Sequence, residues 1–116
     1  MLENQVQKDV LKYLKKQRVY HFRFQAQVNL NGMPDIIALY RGYFLGLELK
    51  RPNGGRATGL QLKKLDAINE NGGIGVVIDN VENLKLLLSL IDLYYGYSKE
   101  TILEYYNMYR WKNESK

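Results

Sequence analysis

Gly32-Met33-Pro34-Asp35-Ile36-Ile37-Ala38-Leu39-Tyr40-Arg41-Gly42-Tyr43-Phe44-Leu45-Gly46-Leu47-Glu48-Leu49-Lys50 reads as two apolar strands about a tight reversal. If the chain turns about the Arg41-Gly42 bond, Tyr40 falls opposite Tyr43 and, by the same count, Asp35 falls opposite Glu48. Opposed residues of an antiparallel pair project from one face with Cβ atoms about 4.5–5.5 Å apart, where like charges repel. A bound cation removes that liability, because hard divalent ions take carboxylate and water oxygens. Lys50, two residues beyond Glu48, lies on the same strand face. The turn itself is the open step. A two-residue turn favours positive φ at both central positions, and only Gly42 is a natural candidate for it. Two- and four-residue loops keep Asp35 opposite Glu48, whereas a three-residue loop slides Asp35 opposite Leu49.

Working outward, 116 residues are the size of one domain, with its core over about 1–79 and a helical extension over about 80–116. A net charge of +5 and a pI near 9.4 suit a polyanionic partner, though only as non-specific attraction. With no cysteine and one histidine, disulfides, thiolate zinc sites and His-rich metal sites are excluded, and a cytoplasmic location is expected. The greasiest stretch, Leu84 to Leu93, carries Lys85 and Asp92 and is too short to span a bilayer. The start of the chain lacks the basic and apolar regions of an export signal.

Val6, Val10, Tyr13 and Leu14 recur at helical spacing and predict an amphipathic helix over 3–17. Glu3 falls on that stripe, and its plainest role there is a favourable first-turn charge. Tyr20, Phe22 and Phe24 alternate with polar residues, predicting a strand over 20–28 with one buried face. Ile36 to Leu39 form an apolar run that implies a strand covered on both faces. After Lys50, Arg51-Pro52-Asn53-Gly54-Gly55-Arg56 cannot continue a ladder and makes a basic loop. Thr58-Gly59-Leu60-Gln61 has capping-box form and opens a helix that ends at Asn71-Gly72-Gly73. Gln61 has two readings, since it either folds back to the cap or points toward the sheet. A β-branched strand over 74–78 follows, then a helix over 81–94 capped by Asp79 or Asn80, and a last helix over 99–110 capped by Ser98. A right-handed crossover makes the fourth strand parallel to its neighbour in a mixed sheet.

Glu3, Gly32-Met33-Pro34-Asp35, Glu48-Leu49-Lys50 and Gln61, in that order, resemble the VRR-NUC branch (virus-type replication and repair nucleases) of the PD-(D/E)xK nuclease superfamily over roughly residues 3–78. The resemblance implies an α/β, restriction-endonuclease-like αβββαβ core with C-terminal helices. It also implies a metal-dependent DNA endonuclease: Asp35, Glu48 and the Leu49 carbonyl would hold Mg²⁺ or Mn²⁺, Glu3 would join directly or through water, and Lys50 would orient or activate the attacking water. The implied product ends are a 5′-phosphate and a 3′-hydroxyl. Taken singly, Asp35, Glu48 and Lys50 are ordinary strand-end ion pairs of little energy; it is their convergence that carries the nuclease reading.

Arg51, Arg56, Lys63 and Lys64 cluster around the basic loop and the second helix as candidate phosphate contacts. Leu84, Leu88, Ile91, Tyr105 and Tyr109 belong to an unusually apolar and aromatic C-terminal third, which is expected either to form a homodimer interface or to stack on unpaired bases. Dimerisation is the favoured reading, and the stand-alone viral members of the resembled family point the same way. Two symmetric sites would suit a four-way junction. Branched DNA, as for a Holliday-junction resolvase in replication, repair or recombination, is therefore the expected substrate. The alternatives are a restriction-like or site-specific nuclease on duplex DNA and, in another class, a non-catalytic DNA-binding module.

Overall fold

The computed structural model describes residues 3–24, 32–52 and 55–113. Helix α1 (Glu3–Lys16) leads into β1 (Tyr20–Arg23), β2 (Ile36–Tyr40) and β3 (Tyr43–Leu49). After α2 (Gly59–Glu70), β4 (Ile74–Ile78) and α3 (Val81–Leu93) come α4 (Lys99–Tyr109) and a closing 3-10 turn over Arg110–Asn113. The strands form one sheet in the order β1-β2-β3-β4. β1, β2 and β3 pair antiparallel, and β4 runs parallel to β3, so the expected mixed sheet with flanking helices is present.

The β2–β3 hairpin has the register expected from its turn, Tyr40 opposite Tyr43 and Ile36 opposite Leu47. Arg41 (φ 49) and Gly42 (φ 85) both take left-handed backbone, as a two-residue turn matched to the sheet's twist requires. Arginine is unusual there. Asp92 of α3 holds it, accepting from Arg41 Nε and from Tyr40 Oη.

One sheet face carries the core. Ile36, Ala38, Leu45, Leu47, Leu49, Ile74, Val76 and Ile78 are buried with Val6, Val10 and Leu14 of α1 and Leu84, Leu87, Leu88 and Ile91 of α3. On the opposite face α2 lies very close, and glycines make room for it. A Cβ on Gly46 would meet Ile68 Cδ1 at 2.4 Å, and one on Gly75 would lie 2.7 Å from the backbone oxygen of Leu65. The edge of β4 is protected by α4, where Tyr106 Oη donates to the Val77 carbonyl at 2.7 Å, so this edge presents fewer open backbone groups.

Four sequence expectations are corrected. The first strand ends at Arg23; of the remainder of the expected 20–28 segment, only Phe24 is described, and 25–28 lie outside the described residues. Its aromatic face is not buried: Tyr20 and Phe22 are 69% and 47% exposed, because α2 packs over β3 and β4 and leaves the β1 side of this face open among the described residues. Leu39 is exposed on that same open side, so β2 is covered on both faces only as far as Ala38. Finally, Leu84, Leu88 and Ile91, assigned to a dimer interface, are buried in the chain's own core. The apolar side of α3 is spent on the sheet. Much of the remaining aromatic surface packs on itself, with Tyr94 stacked on Tyr105 (centroids 5.2 Å apart) and Tyr105 on Tyr109 (5.9 Å).

Candidate active site

The hairpin register carries Asp35 and Glu48 to one end of the sheet, just beyond the last paired residues of β2. Asp35 is tied to both neighbouring strands. Its carbonyl accepts from Phe24 N at 3.2 Å, and its carboxylate Oδ2 accepts from Leu49 N at 2.8 Å. A side chain thus takes over where the backbone ladder stops, and this fixes the carboxylate against β3. Pro34, which has no amide hydrogen to lose, is buried just before it.

Glu48 projects to the α2 face and is 1% exposed. Its Oε2 lies 3.5 Å from Lys50 Nζ, while Oε1 is buried and accepts no hydrogen bond from any described residue. Burial, then the negative charge of Asp35, push the Glu48 carboxyl up to about 8, and Lys50 opposes the rise. Two acids this close cannot both ionise cheaply in a partly desolvated site. The amide of Lys50 donates to the Ile78 carbonyl at 3.1 Å, so the base of its side chain is fixed by β4.

This donor set fits a divalent cation. Hard cations select carboxylate oxygens, and the buried Glu48 oxygen without a donor is the kind of group that an ion satisfies. Among the described residues no cluster of three or more acidic or histidine side chains forms, so these residues offer two carboxylates, leaving other positions to backbone oxygen, water or substrate.

The remaining sequence candidates divide. Glu3, placed by spacing on the buried stripe, is exposed in the first turn of α1 and does not join the two acids; the stripe begins at Val6. Gln61 takes its capping role, its Oε1 accepting from Thr58 N at 2.8 Å while Thr58 Oγ1 accepts from Gln61 N at 3.2 Å. Arg51, Arg56 and Lys63 are exposed and Lys64 is half-buried, and Gly55 N donates back to the Arg51 carbonyl at 3.3 Å. Lys64 also lines an apolar groove of about 460 Å³ between α2 and Phe44.

Sequence reading missed a second polar cluster at the end of β4. Asp79, which the register continues to a position opposite Lys50, is buried. It accepts from Asn83 Nδ2 at 2.8 Å and pairs with Arg110 at 3.4 Å. The only local signal was the choice of cap, which Asn80 takes by accepting from Asn83 N.

No family model matches this chain, and no curated protein matches it in sequence. Among solved structures it is similar to a "VRR_NUC domain protein", with a TM-score of 0.65 and 24% identity over 79% of this chain and 86% of that one. The chain therefore has the restriction-endonuclease-like fold of that structure.

Proposed function

We propose that the protein is a divalent-metal-dependent DNA endonuclease. The observation that carries this reading is the convergence of Asp35, buried Glu48 and Lys50 at the sheet end, where Glu48 has one oxygen free of hydrogen bonds. The VRR_NUC name of the structural neighbour supports the same reaction class. Asp35, Glu48 and the Leu49 carbonyl would hold Mg²⁺ or Mn²⁺. Bound there, such an ion lowers the pKa of its water and polarises a phosphoryl oxygen. Lys50 brings a positive charge to the site, aids orientation of the attacking water and stabilises charge developing on the phosphate. Arg51, Arg56, Lys63 and Lys64 would contact flanking phosphates without reading bases, and the products would carry 5′-phosphate and 3′-hydroxyl ends.

Branched DNA is the proposed substrate and a homodimer the proposed assembly. With α3 committed to the core, the dimer surface passes to the outer side of α4 around Tyr105 and Tyr109. Light scattering on the purified chain at micromolar concentration is expected to give twice the monomer mass, with Tyr109→Glu shifting it to the monomer; a monomeric wild type removes the two-site model.

Digestion of labelled four-way junction, flap, single-stranded and linear duplex DNA decides the activity. Cleavage is expected only with Mg²⁺ or Mn²⁺ and to fall by about 10²–10⁴-fold in Asp35→Ala, Glu48→Ala and Lys50→Ala, with circular dichroism unchanged. Full cutting by Asp35→Ala defeats the assignment, and a preference for linear duplex over the junction moves it to a restriction-like nuclease.

A further inference from the structure

The 3-10 turn over Arg110–Asn113 is held by side-chain bonds to the end of β4 and the start of α3. Asn113 Nδ2 donates to Asn83 Oδ1 at 2.9 Å, and Asn80 Nδ2 donates to the Asn113 carbonyl at 3.1 Å. Arg110 reaches Asp79. Asn83 and Asp79 are buried, and burying such groups is costly unless each is bonded. The bonds fix the turn to the end of β4, beside the strand that carries Glu48 and Lys50. Val77, whose carbonyl Tyr106 caps, is itself opposite Glu48. Arg110 and Tyr106 share a cleft with Leu62 and Leu65 of α2 while Asn113 is bonded to α3, so the turn straddles the β4 edge of the sheet with Arg110 on the side toward which Glu48 projects.

What this anchored turn displays is Trp111, 62% exposed. The Arg110 guanidinium lies 5.1 Å from its ring centroid, an arrangement that orients the ring and leaves most of it to solvent. Lys112 is the next residue and is exposed. A fixed aromatic platform next to a cation is the chemistry that binds nucleic acid strands with unpaired bases, where stacking is sequence-tolerant and a positive charge follows the backbone. Neighbouring strands are about 4.8 Å apart, so the turn lies within roughly 15 Å of the carboxylates, or about four nucleotides along a strand at ~3.4 Å each.

We infer that Trp111 stacks on an unpaired base of the DNA strand passing through the active site, with Lys112 on an adjoining phosphate, so that the C-terminal turn selects DNA with unstacked bases near the cut. This rests on the nuclease reading for its substrate and deepens it.

Trp111 is the only tryptophan in the chain, so its fluorescence reports the contact directly. The full chain carrying Glu48→Gln is titrated with fluorescein-labelled splayed-arm DNA and with blunt duplex, following tryptophan emission and, separately, label anisotropy. Quenching that saturates together with anisotropy on splayed-arm DNA is expected. Adding Trp111→Ala should weaken that binding about 5- to 100-fold and affect the blunt duplex much less, while Trp111→Phe should restore it. DNA that binds by anisotropy without changing tryptophan emission overturns the inference, as does an equal loss on both DNAs. Quenching in a protein whose wild type cuts nothing with any divalent ion leaves the stacking contact standing and removes the nuclease reading; failure to bind any DNA removes both.

Discussion

Glu48 concentrates the cost and the use of the site in one side chain. Folding places it beside Asp35 and out of water, so its carboxyl holds a proton up to about pH 8, against an ordinary value of 4.5. Between those values the native state binds more protons than the unfolded chain. The stability from this group is thus complete below about 4.5 and is lost as pH rises through about 8. Each unit of such a shift is worth about 1.4 kcal/mol, so the metal-free protein should melt at a lower temperature at about pH 8 than at about pH 5. Glu48→Gln should flatten this profile and raise the melting temperature at about pH 8, while Mg²⁺ should rescue the wild type and not the variant. A wild-type melting temperature that climbs between those two pH values contradicts the placement of the buried acid. Asp35 and Glu48 were legible because an antiparallel register follows from one turn. Gln61 was ambiguous because capping and site-facing roles place the same atoms at the same helix position, and local bonds to Thr58 decided it. Glu3 was misplaced because helical spacing defines a face but not how far the neighbouring sheet extends to cover it.

At the scale of elements, the wall of the site depends on how near α2 comes to the sheet. Gly75 sits against the backbone of Leu65, where an added Cβ would lie only 2.7 Å from the Leu65 carbonyl oxygen. A helix backbone yields less readily than a side-chain tip. Gly75→Ala should therefore act as overpacking and cost about 1–3 kcal/mol, lowering the denaturation midpoint. By shifting α2 away from β3 and β4, it should also reduce cleavage in the surviving folded protein. Unchanged stability means that α2 does not dock here. Sequence alone marked both edges of this helix through the Thr58 capping box and Asn71-Gly72-Gly73. It was silent on the close approach, since Gly46 and Gly75 read equally well as strand weaknesses. The same limit hid the clamp of Asp92 on Arg41: the two residues are 51 apart in the chain, and no local pattern joins them. The aromatic face of β1 shows the converse. Its alternation gave a strand from Tyr20, drawn over 20–28 where the observed strand ends at Arg23, and alternation cannot say whether another element covers the apolar side.

For the whole molecule, the arrangement is one-sided. α1 and α3 close the core face, whereas the α2 face carries the acids, Lys64 and the open aromatic side of β1 and β2. The +5 charge was plain from composition, but its use depends on where the fold gathers cations. Arg51 and Arg56 flank the loop that directly follows Lys50, and both are exposed. If they lie on DNA phosphates, each contributes to counterion release, and the logarithm of the association constant should fall linearly with the logarithm of salt concentration. Replacing both by alanine in the Glu48→Gln background should reduce that slope by about two, one for each lost contact, and weaken binding uniformly across DNA sequences. Because these contacts position the backbone rather than read bases, the ratio of affinities for splayed-arm and blunt DNA should stay constant. A slope identical to that of the parent places these arginines off the DNA path. A changed ratio instead gives the loop, and not the Trp111 turn, the part of recognising unpaired strands.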